Sequence, residues 1–196
     1  MKKILFFALL SSPLLSLAQD RLPRQLTVKK GFYNHTELGT LLGRVAYPFD
    51  RSVVYSRSSF TANTFNGYRF SRGLIVGATV GVDWYARNAI IPVSVGLRGD
   101  MSRGRVSPHY ALDVGYGLAR LTRRPEIVGA DVNLSGGLHV NPALGVRIAT
   151  GNDTALILSI GYKYQYADVL TQFNAGNTIR NVYNYNRLAL KVGMSF

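Results

Sequence analysis

The sequence predicts an all-β fold: an eight-stranded antiparallel up-and-down β-barrel that spans a membrane and keeps a filled polar lumen. Three observations predict it. The chain ends on Leu188, Leu190, Val192, Met194 and Phe196 alternating with Arg187, Ala189, Lys191, Gly193 and Ser195, and a period of two with one apolar and one wet face is a strand greasy on one side only. Five earlier segments repeat the alternation. Hydrophobic residues make up 47% of the chain, yet no internal stretch approaches the roughly 18 apolar residues of a membrane helix, so an exported chain this apolar fits a barrel better than a soluble domain.

The elements follow in order. Residues 1–18 read as a secretory signal, with Lys2 and Lys3, an apolar run from Ile4 to Leu10 and Ser16-Leu17-Ala18 as the cleavage site. Residues 19–30 are polar and basic and form a periplasmic leader; residues 31–196 form the barrel. From Gly31 onward eight segments of about 10 to 14 residues are bounded by Gly, Asn, Asp, Pro or Arg clusters, the length that a tilted barrel strand needs. The first, Gly31 to Gly43, and the second, Phe60 to Phe70, alternate poorly and rest on spacing and an even strand count.

The third segment sets Leu74, Val76, Ala78, Val80, Val82 and Trp84 against a polar or small face that includes Asp83. The fourth does so with Ile91, Val93, Val95 and Leu97, the fifth with Tyr110, Leu112, Val114, Tyr116 and Leu118. The sixth uses Leu138, Val140, Leu144, Val146 and Ile148, and the seventh Leu156, Leu158, Ile160, Tyr162, Tyr164 and Tyr166. Pro92 and Pro142 interrupt two segments and are expected near strand ends or bulges. Gly77, Gly81, Gly96, Gly115, Gly117, Gly145, Gly161 and Gly193 all share the polar parity. Glycine on the inner face lets a narrow barrel taper and coil.

Connections alternate in length. Ser71 to Gly73, Met101 to Ser107 and Thr150 to Thr154 are short; Arg44 to Ser59, Thr122 to Asn133 and Asp168 to Val182 are long, with Arg87 to Ala89 a short exception. Short periplasmic turns and long external loops put both termini in the periplasm.

Several stretches resemble the small outer-membrane β-barrels of Gram-negative bacteria, the OmpA/OmpX-type group and the outer membrane protein beta-barrel domain family. They are Lys30-Gly31-Phe32-Tyr33-Asn34, Asn66-Gly67-Tyr68-Arg69-Phe70, Leu97-Arg98-Gly99-Asp100, Asn141 to Arg147, and the closing strand. The resemblance covers Gly31 to Phe196 and speaks to architecture more than to activity. It implies that Leu188, Leu190, Val192, Met194 and Phe196 form the signal read by the barrel-assembly machinery, a transient partner.

Chemistry is bounded by what is missing. With no cysteine, disulfides, thiol nucleophiles and Cys-based metal sites are excluded. No metal or cofactor motif appears, and Gly115 to Gly117 opens no helix and is no phosphate loop. Net charge is +13, or +11 once Lys2 and Lys3 leave with the signal, which favours an anionic neighbour. Nucleic acid has no supporting motif; outer-membrane lipids and lipopolysaccharide are the expected partners of what should be a monomer.

Eight strands enclose a space that side chains fill. The polar faces carry Glu37, Asp83, Asp100 and Asp113 against Arg69, Arg98, Arg147, Lys163, Arg187 and Lys191, and buried charges must pair. Strand order predicts Asp113 bracketed by Arg98 and Arg147, and Glu37 at the depth of Lys191. A narrow ion channel is the functional alternative to a filled core. A deacylase-like enzyme acting on lipid A is another, but it needs a hydroxyl nucleophile beside a base. Beside His139 asparagine stands at Asn141 where a serine would be needed, no serine accompanies His35 and Glu37 at that spacing, and His109 precedes a strand at a turn, so no catalytic residue is assigned. Arg44, Arg51, Arg57, Arg87, Arg123, Arg124 and Arg180 fall on the expected external connections, and guanidinium forks suit phosphate.

Overall fold

The computed structural model describes residues 30–46, 54–85, 88–121, 130–150, 154–173 and 178–196. Eight strands close into one antiparallel barrel: β1 (Gly31–Ala46), β2 (Val54–Arg69), β3 (Ile75–Trp84), β4 (Asn88–Asp100), β5 (Val106–Leu121), β6 (Ala130–Ala149), β7 (Ala155–Phe173) and β8 (Thr178–Ser195). Each strand pairs with its sequence neighbours, and β8 returns to β1 with Leu38 opposite Val192 and Leu42 opposite Leu188. The seam is finished at its end by reciprocal backbone bonds between Asn34 and Phe196, at 2.8 and 3.0 Å. Full closure removes the exposed edges that an open sheet would present.

Burial is inverted relative to a water-soluble domain. Outward side chains are apolar, with Val95, Leu118, Leu144 and the series Leu188, Leu190, Val192, Met194 and Phe196 all exposed. Inward ones are polar and buried, among them Glu37, Asp83, Arg98, Asp113, Lys163, Arg187 and Lys191. Such a surface is stable where the surrounding solvent is hydrocarbon. The outward series of β8 covers about nine residues, enough for a tilted strand to cross. Outward aromatics mark its limits: Phe32, Tyr68, Phe70 and Phe196 toward the short turns, Phe60, Trp84 and Tyr116 toward the other end.

Several strands run further than their alternation predicts, β6 from Ala130 and β7 to Phe173 among them. Arg44 lies in β1 opposite Ser56, Arg57 in β2 opposite Gly43, and Arg180 in β8 opposite Leu170. Beyond the bilayer both faces of a strand meet water, so the period-two signal disappears while the backbone ladder continues. These arginines are therefore strand residues, a correction to their expected place in loops.

The prolines are also corrected: both sit mid-strand, away from ends and bulges. Pro92 is paired with Gly117 and Pro142 with Leu112 on one side. On the other side the β3–β4 register skips Ile91 and Pro92, and the β6–β7 register skips Asn141 and Pro142. A proline can serve a ladder only with its carbonyl, and here the interruption is confined to one neighbour. The register shift in β6 falls instead between Gly136 and His139.

Candidate functional site: the filled lumen and its rims

Interior residues stack into three zones. Nearest the short turns, Tyr33, Phe65 and Ile75 form a buried apolar cluster. The two rings meet edge-on at 6.0 Å, and guanidinium groups cap them, Arg69 4.5 Å from the Tyr33 ring and Arg98 4.6 Å from that of Phe65. A row of glycines makes room. Gly67, Gly77 and Gly96 are neighbours across β2, β3 and β4, and a Cβ at Gly67 or Gly96 would meet the Phe65 ring at 2.8 Å.

At the opposite end Ile90 and Ala167 are buried against Tyr85, Ala119 and Tyr185. Tyr85 and Tyr185 stack at 4.8 Å, and the Arg187 guanidinium sits 5.6 and 5.8 Å from their rings. Aromatic clusters thus flank the polar middle of the lumen at both ends.

Between them lies the charge network. Lys163 on β7 reaches across the lumen to Asp83 on β3, its Nζ 2.5 and 2.7 Å from the two carboxylate oxygens, and Thr61 Oγ1 donates to the same carboxylate at 2.7 Å. Lys191 Nζ donates to Glu37 Oε1, with His35 Nε2 3.8 Å from the other oxygen. Arg98 Nη2 lies 2.9 Å from Asp113 Oδ1. A cation and an anion this close in a buried interior each satisfy what burial would otherwise leave uncompensated.

Asp113 is not bracketed by two arginines. Its further donors are Thr79 Oγ1 at 2.6 Å and Asn141 Nδ2 at 3.2 Å. Arg147 instead places Nε 3.4 Å from Asp100. Register explains the difference: Asp113 pairs with Asn141, whereas Arg147 pairs with Ser107. Six residues of strand separate the two levels, about 20 Å at the usual rise.

Asp100 also accepts from or binds His109 Nδ1 at 2.8 Å. A carboxylate on one ring nitrogen is how a hydrolase orients a histidine base. Here the edge of the His35 ring packs 5.8 Å away, His109 Nε2 has no hydrogen-bond partner, and the Ser107 hydroxyl is turned to the Ser102 and Pro108 carbonyls. Among the described residues no nucleophile stands against this histidine, and none of the His, Asp and Glu side chains forms a metal-binding group of three. His139 is buried in the lumen as well.

The arginines expected on external connections are only partly placed. Arg180 is exposed, and its Nε and Nη2 both lie 2.6 Å from Asp168 Oδ2. Arg51, Arg87, Arg123 and Arg124, with residues 1–29, lie outside the described residues. The sequence reading missed the cross-lumen Asp83–Lys163 pair and the Tyr85–Tyr185–Arg187 stack. Parity assigns a residue to the lumen, but nothing in one strand's pattern says which non-neighbouring strand it will meet.

An apolar outer band around a charge-paired interior defines a small eight-stranded transmembrane barrel of the outer-membrane type. No family model and no curated protein matches the sequence. Solved structures do. Neisserial surface protein A (NspA) is similar at TM-score 0.58 and 14% identity, covering 84% of this chain and 96% of that one. The outer membrane protein OprG of Pseudomonas aeruginosa has TM-score 0.53 and 10% identity, covering 85% and 95%. The outer membrane protein AlkL has 0.52 and 14%, covering 91% and 95%. At these identities the likeness is one of fold.

Proposed function

We propose that the chain is a non-enzymatic outer-membrane barrel with a structural or surface-interaction role. In this reading the termini and short turns face the periplasm. The basic external segments around Arg44, Arg51, Arg57, Arg87, Arg123, Arg124 and Arg180 contact the phosphates of lipopolysaccharide or a similar anionic ligand. Leu188 to Phe196 is the strand handed to the assembly machinery. One observation carries the proposal: the lumen's carboxylates Glu37, Asp83, Asp100 and Asp113 are each engaged by a basic side chain, with an aromatic cluster toward each end of the barrel. An interior held this way supports the wall and leaves binding to the rims, where arginine forks suit phosphate.

The test pairs two measurements on the purified, folded barrel. Planar-bilayer recordings should show no stable ohmic conductance. Binding to lipopolysaccharide should weaken with rising salt and fall when Arg123 and Arg124 are both replaced by alanine. Ohmic conductance would restore the channel alternative; salt-independent binding that ignores both arginines would remove the phosphate contact.

A further inference from the structure

The poor alternation of β1 and β2 has a structural cause that opens a question of its own. On their outward faces Asn34, Thr36, Thr64 and Asn66 are joined into one polar cluster. Asn34 Nδ2 donates to Asn66 Oδ1 at 2.6 Å and to Thr64 Oγ1 at 3.4 Å. Thr36 Oγ1 lies 2.9 Å from Thr64 Oγ1 and donates to Asn34 Oδ1 at 3.2 Å. The cluster is an island. Along the strands it is bounded by Phe32, Tyr68 and Phe70 on one side and by Leu38 and Phe60 on the other, all exposed and apolar or aromatic. Laterally, Thr36 is level with Met194 on β8, while Asn66 and Thr64 are level with Ala78 and Val80 on β3. The island therefore lies within the apolar band, inside its aromatic limit.

Polar groups that face hydrocarbon are costly unless something satisfies them, and in membranes such groups serve as contacts between protein surfaces. Internal bonding covers part of the need. Among the described residues Asn66 only accepts, so both hydrogens of its amide remain to be given. Acyl chains cannot take them. A partner must offer acceptors at this depth, and the same island on another copy offers amide and hydroxyl oxygens at matching height. A twofold axis along the membrane normal sets residue against residue at equal depth. Amides and hydroxyls, being donors and acceptors at once, complement themselves. Small outward neighbours help, because Ala62 and Ala78 let two walls come close.

We propose that Asn34, Thr36, Thr64 and Asn66 form the surface through which two copies of this chain associate in the membrane. This replaces the expected monomer with a weak, polar-centred dimer, and it depends on neither the orientation of the barrel nor a ligand at its loops.

Because the chain has no cysteine, single cysteines report proximity without background. Asn66→Cys should give an oxidised dimer in native membranes, while Leu144→Cys, on the wall formed by β6, should give little. In the uncut, otherwise native chain, replacing Asn34 and Asn66 together by leucine should weaken self-association in detergent at least tenfold by sedimentation, with the heat-shifted gel mobility of a folded barrel retained. If that variant fails to fold, Asn66→Leu alone is measured the same way. Equal cross-linking at both positions, none at Asn66→Cys, or unchanged association in a folded leucine variant overturns the proposal. So does a monomer that retains a phospholipid only when Asn34 and Asn66 are present, since the island would then bind a lipid headgroup.

Discussion

Replacing Asp83 by asparagine tests whether the lumen is held by cross-barrel charge. Asp83 is fully buried and holds Lys163 from the opposite wall at 2.5 Å. At an effective dielectric near 20, two unit charges at that distance attract by roughly 7 kcal/mol, and part of this offsets the desolvation of both ions. Asparagine keeps the shape and can still accept from Thr61, but it leaves the ammonium unneutralised. Stranding one member of a buried pair costs about 3 to 5 kcal/mol. With a urea dependence near 2 kcal/mol per molar, the unfolding midpoint should fall by roughly 2 M. The readout is built in: Trp84 is the sole tryptophan, adjoins Asp83, faces outward and packs 5.4 Å from Phe60, so its emission follows the loss of its membrane environment. Adding Lys163→Met to Asp83→Asn should recover most of the loss, since an apolar replacement of a buried pair is often near neutral. A single variant as stable as the parent, or a double variant no better than the single, would refute the idea that this pair braces β3 against β7.

Three further outcomes follow from the same geometry. Arg98→Met should destabilise more than Arg147→Met, by about 2 kcal/mol or more: Arg98 serves the buried Asp113 and the Phe65 ring, whereas Asp100 keeps His109 when Arg147 goes, and equal midpoints in urea would contradict this. Gly77→Val should prevent the heat-shifted gel form, because a Cβ there would stand 2.2 Å from the Asn66 carbonyl oxygen and 2.4 Å from Gly67 Cα, a backbone clash well above the about 1 to 3 kcal/mol of ordinary overpacking. Removing Phe196 deletes its backbone pair with Asn34, worth about 2 kcal/mol in two hydrogen bonds; refolding into vesicles, followed by gel shift, should slow, and an unchanged rate and midpoint would show that the seam does not need it.

How far the chain could be read depended on what each face met. Where a strand separates lipid from lumen, as from Leu188 to Phe196, the two solvents write an alternation that is legible residue by residue. The Glu37–Lys191 contact could be anticipated because closure makes their strands neighbours and parity puts both inside. The Arg147 assignment failed because parity gives a face and no depth, and depth along tilted strands is set by a register spread over the whole circuit. Asp83 and Lys163 escaped for a related reason: the lumen is narrow enough for contacts across it, and those obey no sequence spacing. Arg44, Arg57 and Arg180 were misplaced at the point where the second solvent ends and the ladder does not.

The charge balance acquires a location from the same contacts. Of ten carboxylate side chains in the sequence, Glu37, Asp83, Asp100 and Asp113 are enclosed in the lumen, and Asp168 holds Arg180. The enclosed acids are matched inside by Arg98, Arg147, Lys163 and Lys191 together with His35 and His109. With Arg69 and Arg187 also inside, the lumen holds six lysine and arginine side chains against these four carboxylates, while the sequence holds 23 bases against ten acids. Among the described residues the other bases lie toward strand ends and turns, among them Arg72, Arg103, Arg105 and Arg180. Basic rims around a core whose acids are all paired mean that salt should govern what the barrel binds far more than whether it stays folded: screening acts on exposed charges about a Debye length apart and scarcely reaches buried pairs.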